Sequence, residues 1–391
     1  MLELLWLLLP VAAASGWYAG RREGRRTSTR TGDRESLPEA YFRGLNFLLN
    51  EQQDKAIEVF IKMLEVNSET VETHLALGNL FRRRGEVERA IRIHQNLIAR
   101  PALDREQRSL ALLELGQDYL KAGLFDRAEN LFTELVENRM HGDQSLRLLL
   151  HIYQQEKEWD KAITTGQRLS RLTGQPMDEV IAHYHCELAQ TAMDAKDYRV
   201  ARHQLRKALS SDSKSVRASI LLGDLEAAER RDPEAIRAWK RVEEQDPRFL
   251  GEVAHRIAEA YHRLNDVQGL YEYFQGAKER ERVVPMMLEL VNLIRDRDGI
   301  DAAEIFVVEW LRRHPSVQGL KRLIELNMLQ AEGRAREDLV LLLGIIEKLA
   351  QQQQGYACQQ CGFRGRSLYW MCPSCSQWNT IKPVDDAAPG S

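Results

Sequence analysis

The chain has 391 residues, of which 43% are hydrophobic and 29% are charged, and its formal net charge is −3. This composition is typical of an ordinary globular helical protein and excludes a chain dominated by one biased tract. It also argues against nucleic acid as a partner, because phosphate binding needs a marked excess of Lys and Arg.

The first predicted element is an apolar segment at residues 1–20, which carries no charge from Leu4 to Ala19. As a helix it is long enough to cross a bilayer core of about 30 Å. Residues 21–36 follow, and immediately after the apolar segment come Arg21, Arg22, Arg25, Arg26 and Arg30 against only Glu23. The arginine-rich flank of a short membrane span stays in the cytoplasm. We therefore predict a transmembrane anchor at 1–20, a basic juxtamembrane linker at 21–36 and a cytoplasmic body.

A cleaved secretory signal is the alternative for the same segment, since Ala12-Ala13-Ala14 resembles a cleavage site. A signal carries its positive charge before the apolar stretch, where this chain has Glu3 instead, and we favour the anchor.

Small residues recur every fourth position at Ala12, Gly16 and Gly20. Such a stripe lets two membrane helices approach closely and is a candidate contact face, although small residues are also common by chance.

The body of the chain repeats itself with a period of 34 residues, which is the spacing from Gly44 to Gly78. In the clearest repeats a glycine is followed by a small residue and then by a bulky one, and other repeats keep the pattern more loosely. Four such sets are Gly44 with Ala56 and Phe60, Gly78 with Ala90 and His94, Gly116 with Ala128 and Phe132, and Gly223 with Ala235 and Trp239. This pattern resembles the tetratricopeptide repeat, a pair of helices in which small residues mark where the helices touch.

Between the helices of each pair we expect turns, at Gly85, Gly123 and Asp160. Each pair leaves an apolar face that only a neighbouring pair can cover. We therefore predict an all-α fold, in which residues 37–350 form one tetratricopeptide superhelix of eight or nine helix pairs. A coiled coil is excluded, because the turn residues interrupt any sustained heptad.

The first helix of each repeat lines the concave groove of such an array, and its outward positions are candidates for binding a partner segment. These positions are Asn79, Arg82, Arg83, Gln117, Lys121 and His151. The alternative for each is an ordinary solvated face.

We find no glycine-rich phosphate loop, Gly-x-Ser-x-Gly elbow or His-Glu-x-x-His helix, and we predict that the protein is not an enzyme. The cluster at residues 183–187 lacks convergent geometry, because on a helix His183 and Glu187 share a face that His185 does not.

The chain ends in two Cys-x-x-Cys pairs, Cys358 with Cys361 and Cys372 with Cys375, separated by ten residues. Four thiolates at this spacing complete a tetrahedral shell and leave no open position for catalysis. We predict one structural metal ion, zinc or iron, in a small domain at 355–384, followed by a flexible tail at 385–391. Two disulfides are the alternative, but they require an oxidising compartment. Cys186 stands alone and is expected to be a buried apolar residue.

Aromatic residues accompany the cysteines, among them Phe363, Trp370 and Trp378. Residues 355–391 contain three basic and two acidic side chains, too small an excess for nucleic-acid binding. We expect these aromatics to pack the metal domain against the last repeat helix, from Leu339 to Leu349.

The order of anchor, repeats and four-cysteine domain is similar to that of the lipopolysaccharide assembly protein B family of Gram-negative bacteria. Three segments carry the resemblance: residues 1–14, residues 77–95 and residues 368–383. The resemblance implies an inner-membrane adaptor that helps the protease FtsH degrade LpxC, the deacetylase that commits precursors to lipid A. It also implies contacts with an inner-membrane lipopolysaccharide sensor and with assembly or export proteins.

The same resemblance implies that Cys358, Cys361, Cys372 and Cys375 hold the metal in a rubredoxin-like domain, which keeps iron possible. Two other functions remain open. One is a general scaffold for envelope assembly without a proteolytic role, and the other is a redox protein that uses iron at the four cysteines.

Overall fold

The computed structural model describes residues 37–50, 52–66, 71–276, 283–352 and 355–384. The predicted anchor, linker and tail lie outside these ranges, and so do Ala12, Gly16 and Gly20. Within them the chain is helical as far as residue 352 and then forms a small sheet. The prediction of an all-α tetratricopeptide fold with a C-terminal four-cysteine cluster is confirmed. None of the helices described is both long enough and apolar enough to cross a bilayer.

The described residues contain eighteen α-helices and three short strands. The helices are α1 (Leu37–Leu49), α2 (Gln53–Val66), α3 (Val71–Arg83), α4 (Val87–Ile98), α5 (Arg105–Lys121), α6 (Phe125–Glu137), α7 (Gly142–Gln155), α8 (Trp159–Thr173), α9 (Asp178–Asp194), α10 (Tyr198–Ser211), α11 (Val216–Ala228), α12 (Asp232–Gln245), α13 (Leu250–Arg263), α14 (Val267–Gln275), α15 (Val284–Asp298), α16 (Ile300–Arg313), α17 (Val317–Gln330) and α18 (Gly333–Gln352). A 3₁₀ turn at Pro247–Phe249 precedes α13. Two compact units divide the chain, residues 1–148 and residues 149–391.

Four of the helix pairs are closed by a contact between the repeat glycine of the first helix and the ring sixteen positions later in the second. A Cβ atom added to Gly44 or Gly116 would lie under 3.0 Å from the ring of Phe60 or Phe132. Gly78 meets the ring of His94, and Gly223 meets that of Trp239, in the same way. The alanine four residues before the ring is fully buried in every one of these pairs. The sequence pattern therefore encodes close helix contact.

The turns inside the pairs share one backbone feature, a left-handed residue halfway between the helices. Gly85 and Gly123 occupy this position with φ angles of +83° and +74°, as the sequence predicts. In the next pair the left-handed residue is Lys157, with φ of +58°, and Asp160 lies one residue into α8. Non-glycine residues take the same position in the following three pairs, at Lys196, Arg230 and Asn265. The geometry of the turn is thus kept even where glycine is not.

The last residues form a three-stranded antiparallel sheet, which we call the ribbon and which comprises residues 355–384. Its strands are β1 (Tyr356–Cys358), β2 (Arg364–Gly365) and β3 (Ile381–Pro383), arranged in the order β2-β1-β3. Tyr356 lies opposite Gly365 on one side and opposite Pro383 on the other. Three buried residues, Cys358, Cys372 and Ile381, form the centre of its core. So small a core cannot hold the ribbon alone.

We predict that Gly116→Ala lowers the free energy of unfolding by about 1–3 kcal/mol, because the added methyl group overlaps the Phe132 ring. This loss outweighs the gain of about 1 kcal/mol that Ala brings to a helix interior. Gly344→Ala is the matched control, because nothing lies within 4 Å of a Cβ atom at that position of α18. Urea unfolding followed by circular dichroism should give a lower midpoint for the first variant only. Equal midpoints for the parent and Gly116→Ala would show that Gly116 and Phe132 are not in close contact.

Candidate metal centre and partner surface

The four cysteines of the ribbon lie together at the ends of its strands. Their sulfur atoms are all within 4.8 Å of one another. The Sγ atoms of Cys358 and Cys375 are 3.8 Å apart, and those of Cys361 and Cys372 are 3.7 Å apart. A tetrahedron with metal–sulfur bonds of about 2.3 Å has edges of about 3.8 Å. The four side chains therefore fit one tetrahedral ion.

Two copies of the same turn present the cysteines. In the first, the Gly362 N–H donates to the Cys358 carbonyl and the Cys358 N–H donates to the Phe363 carbonyl. In the second, Ser376 and Cys372 make the equivalent bonds, with Gln377 as the acceptor of the Cys372 N–H. The residue directly after each Cys-x-x-Cys motif has a left-handed backbone conformation, with φ of +75° at Gly362 and +56° at Ser376. Glycine adopts this conformation readily, and the second turn imposes it on a serine.

Hydrogen bonds at the first turn favour a charged sulfur. The N–H groups of Gln360 and Cys361 point at the Cys358 sulfur from 3.4 and 3.5 Å, and the Thr380 hydroxyl lies 3.3 Å from it. The bond to Thr380, helped by these N–H groups, lowers the pKa of the Cys358 thiol to about 6. Since a thiolate is the form that binds metal, the turn prepares its ligand. One structural metal ion held by Cys358, Cys361, Cys372 and Cys375 is confirmed, and it would supply folding free energy and no open coordination site.

The ribbon is seated on the repeats of its own unit through two tryptophans. The indole N–H of Trp378 donates to the Gln154 side-chain oxygen on α7 at 2.9 Å. Its ring stacks on the His183 ring of α9, with centroids 5.1 Å apart, and meets Trp159 and Tyr184 edge-on. His183, Trp159 and Tyr184 are all buried. This side chain thus fills an aromatic pocket between α7, α8 and α9.

The second tryptophan extends the contact along the array. Trp370 stacks on Phe249 of the 3₁₀ turn, with centroids 5.5 Å apart and planes 18° from parallel. The Arg217 guanidinium of α11 lies 6.0 Å from the same ring, within the range of a cation–π contact, and pairs with Glu187 at 2.8 Å. Trp370 also joins the large core cluster that runs from α11 to α17.

Polar contacts fix the edges of the ribbon. The Tyr356 hydroxyl donates to the Glu252 carboxylate on α13 at 2.5 Å, and the Asn379 amide donates to Glu179 on α9 at 2.5 Å. Lys382 lies 3.5 Å from the Asp246 carboxylate and 4.9 Å from the centre of the Phe249 ring. The ribbon therefore contacts the first helices of four consecutive pairs, α7, α9, α11 and α13.

The expectation that the ribbon aromatics pack on Leu339 to Leu349 is wrong. Those residues lie on α18, where Leu341 and Leu349 are 67% and 52% exposed. The two ribbon tryptophans instead pack on residues that precede them by more than a hundred positions. Sequence reasoning missed three of these residues, Trp159, His183 and Phe249. No local sequence pattern marks these residues. In the structure His183 is distinguished by its burial, which together with the charges of Arg217 and Lys382 lowers its pKa to about 3.

The cluster at 183–187 does not converge on one site, as the sequence indicates. His185 points to the Gln204 side chain at 2.9 Å, while Glu187 pairs with Arg217. Cys186 is fully buried, and burial raises its thiol pKa to about 12. It is the small apolar core residue that was expected.

The six predicted partner-binding residues differ in exposure. Arg83, Lys121 and His151 are exposed, whereas Asn79 and Gln117 are half-buried. Arg82 is held inside its unit, because its guanidinium pairs with Asp118 at 2.8 Å and with Glu114 at 2.6 Å. Asp118 is fully buried and also binds the His94 ring at 2.5 Å. Arg82 therefore compensates a buried charge, and Arg83 and Lys121 are the basic groups of this set that face solvent.

Comparisons with known proteins cover both parts of the chain. Residues 356–383 match the model of a rubredoxin metal binding domain, and residues 73–109, 113–175 and 186–248 match models of the tetratricopeptide repeat. Lipopolysaccharide assembly protein B of Escherichia coli strain K12 is 42% identical over 385 residues, 98% of each chain. The protein of the same name from Haemophilus influenzae strain KW20 is 37% identical over 396 residues, 99% of each chain. Among solved structures, the C-terminal part of a repeat protein from Cytophaga hutchinsonii is 14% identical with a TM-score of 0.38, covering 67% of this chain and 98% of its own.

We predict that Cys372→Ser removes the metal and unfolds residues 355–384 while the helices remain folded. Cys372 is fully buried and supplies one of four ligands, and a ribbon of this size has no other sufficient core. Metal analysis should fall from one ion per chain to nearly none, with little change in helical circular dichroism. Cys186→Ala is the control and should keep its metal, since Cys186 is not a ligand. Full metal content in the Cys372 variant would contradict the assignment.

We predict that acid lowers the free energy of unfolding of the C-terminal unit through His183, on which the ribbon packs. The unfolded chain takes up a proton on this residue near pH 6.5, whereas the folded pKa is about 3. The unfolded state therefore binds more protons between these values, and stability that is complete above pH 6.5 is lost as the pH falls. Between pH 7 and pH 5 the loss is on the order of 2 kcal/mol. His183→Phe keeps the stacking on Trp378 and should lose this pH dependence in urea unfolding. Acid acts on the thiolates of both proteins alike, so only a difference between their pH profiles reports on His183. Identical profiles would exclude its contribution to the loss of stability.

Proposed function

Because the chain belongs to the family of lipopolysaccharide assembly protein B, we propose that it is an inner-membrane adaptor that regulates lipopolysaccharide biosynthesis. It does so by promoting FtsH-dependent proteolysis of the deacetylase LpxC, and it contacts the lipopolysaccharide sensor and assembly or export proteins of the same membrane. The observation that carries this proposal is identity of 37–42% to the named relatives over nearly the whole chain, repeats and ribbon together.

The chemistry of the described residues supports an adaptor that is not an enzyme. Four thiolates saturate the metal, so no position is left where a substrate could bind to it. Buried charges such as Asp118 and Arg217 are paired within the fold. Tetratricopeptide arrays act by presenting extended surfaces to other proteins.

Tethering belongs to the same proposal. Residues 1–20 cross the inner membrane once, residues 21–36 form the basic linker on the cytoplasmic side, and the repeat array at 37–350 and the metal domain at 355–384 follow there. A tether confines the adaptor and its membrane partners to one surface and raises their effective concentration. Weak contacts then suffice to bring a substrate to a protease.

The partner surface proposed here lies on the first helices of the N-terminal unit, with Asn79, Arg82 and Arg83 on α3 and Gln117 and Lys121 on α5. In the C-terminal unit the ribbon contacts the N-terminal halves of α9 and α11, at His183 and Arg217, and it binds Gln154 on α7, three residues after His151. Arg83 and Lys121 give the surface a basic character that suits an acidic partner segment.

We predict that depletion of the protein lengthens the half-life of LpxC several-fold, because the protease then meets its substrate without help. A pulse-chase or translation-block immunoblot measures this directly. Restoring the parent chain should restore rapid turnover, whereas Arg83→Glu combined with Lys121→Glu should not. Arg92→Glu, an equally exposed change on the second helix α4, is the matched control.

Unchanged LpxC turnover after depletion would exclude the proteolytic role. If envelope defects persisted in that case, the protein would be a general scaffold for assembly, which is all that the names of its relatives state.

A further inference from the structure

The last helix of the array leaves an apolar surface uncovered. α18 buries Ile346 against its neighbour, but Leu341, Leu342, Ile345 and Leu349 are 67%, 47%, 50% and 52% exposed. We call these four residues the terminal stripe. Terminal repeats of soluble arrays usually have a polar outer face, so an apolar one marks a contact surface. The ribbon, which follows α18 in the chain, is seated elsewhere and does not cover it.

The stripe has the spacing of a helix-pairing seam. Asp338, Leu341, Ile345 and Lys348 follow one another at intervals of three, four and three residues, which keeps them on one line of the helix. Leu342 and Leu349 flank this line. Asp338 and Lys348 are exposed and form no ion pair within the part of the chain that the structure describes. The seam is therefore apolar in the middle, acidic at one end and basic at the other.

This charge pattern is complementary to itself in one orientation only. When two copies of α18 run antiparallel about residue 343, Leu341 lies opposite Ile345 of the other copy. Asp338 lies opposite Lys348, and symmetry repeats the pair at the other end. A parallel pair would place Asp338 against Asp338 and Lys348 against Lys348, which is unfavourable. An isologous contact thus satisfies both the apolar and the charged residues.

A membrane surface fits the stripe less well. Helices that lie in a bilayer interface are rich in Lys and Arg on the polar face. In α18 the basic residues Arg334, Arg336 and Lys348 are balanced by Glu337, Asp338 and Glu347, and Glu347 is paired with Lys321 at 2.9 Å. The helix has no net charge to attract anionic lipid.

From the exposed stripe and its self-complementary ends, we propose that α18 is a dimerisation surface that binds α18 of a second copy in antiparallel orientation. A seam of one helix per copy lies at the low end of specific interfaces, so the dimer forms reversibly. It joins two arrays through their last helices.

Sedimentation equilibrium of the full chain in detergent tests the proposal, with the parent showing a concentration-dependent dimer. Leu341→Glu should raise the dissociation constant at least a hundredfold, because it places a charge in the apolar centre. Leu172→Glu on α8 is the matched control, since Leu172 is 58% exposed but lies outside the stripe, and it should leave the constant unchanged.

A charge exchange tests the orientation. Asp338→Lys alone and Lys348→Asp alone should each weaken the dimer about tenfold, because each sets like charges opposite one another twice. The two changes together should restore the parent constant. A monomeric parent, a dimer insensitive to Leu341→Glu, or a double variant no tighter than the single ones would overturn the proposal. Association through residues 1–20 would leave all these variants equal to the parent and is thereby distinguished.

Discussion

A pair of helices cannot bury all of its own apolar surface, and the structure of this chain follows from the ways in which that surface is covered. Along the array the next pair covers it, as the core cluster from α11 to α17 shows. Within each pair the helices must first come close enough to leave a compact face. The contacts of Gly78 with His94 and of Gly223 with Trp239 make this possible, because any side chain at the glycine would hold the helices apart.

The ribbon covers a different face, that of the first helices, and here two incomplete structures complete one another. The ribbon has too few buried residues to fold without its metal. The repeats beneath it carry aromatic surface, His183 on α9 and Phe249 in the 3₁₀ turn, that water would otherwise meet. Once the four thiolates bind the ion, Trp370 and Trp378 are fixed at the spacing of their two sites. The free energy of metal binding therefore also stabilises the C-terminal unit.

The sequence predicts local features well, because residues within one repeat or one turn determine them. The glycine and ring positions, the turns at Gly85 and Gly123 and the four metal ligands all follow from spacing alone. The seat of the ribbon could not be predicted in this way. Proximity along the chain points to α18, whereas the true partners depend on how far the array turns before the ribbon begins. No pattern near Trp378 indicates Gln154.

Arg82 illustrates a second limit. Repeat alignment places it correctly on an outward position of α3, but the alignment carries no information on neighbouring charges. In the next first helix, Asp118 is buried beside His94, a residue that replaces the apolar ring of other repeats. A buried carboxylate needs a compensating cation, and Arg82 is within reach. Its role therefore follows from Asp118, which lies 36 residues later in the chain.

The occupied faces of α7 to α13 also limit where a partner can bind. A segment that entered there would have to displace Trp370 and Trp378, which are half-buried, and exposing each of them costs up to about 3 kcal/mol. Binding with micromolar affinity supplies about 8 kcal/mol, so displacing both side chains would offset a large part of it. In the N-terminal unit Arg83 and Lys121 are exposed basic residues of the first helices, and they are among the positions proposed for a partner. By fixing the ribbon, the structural metal thus keeps the aromatic surface of His183 and Phe249 covered within the C-terminal unit.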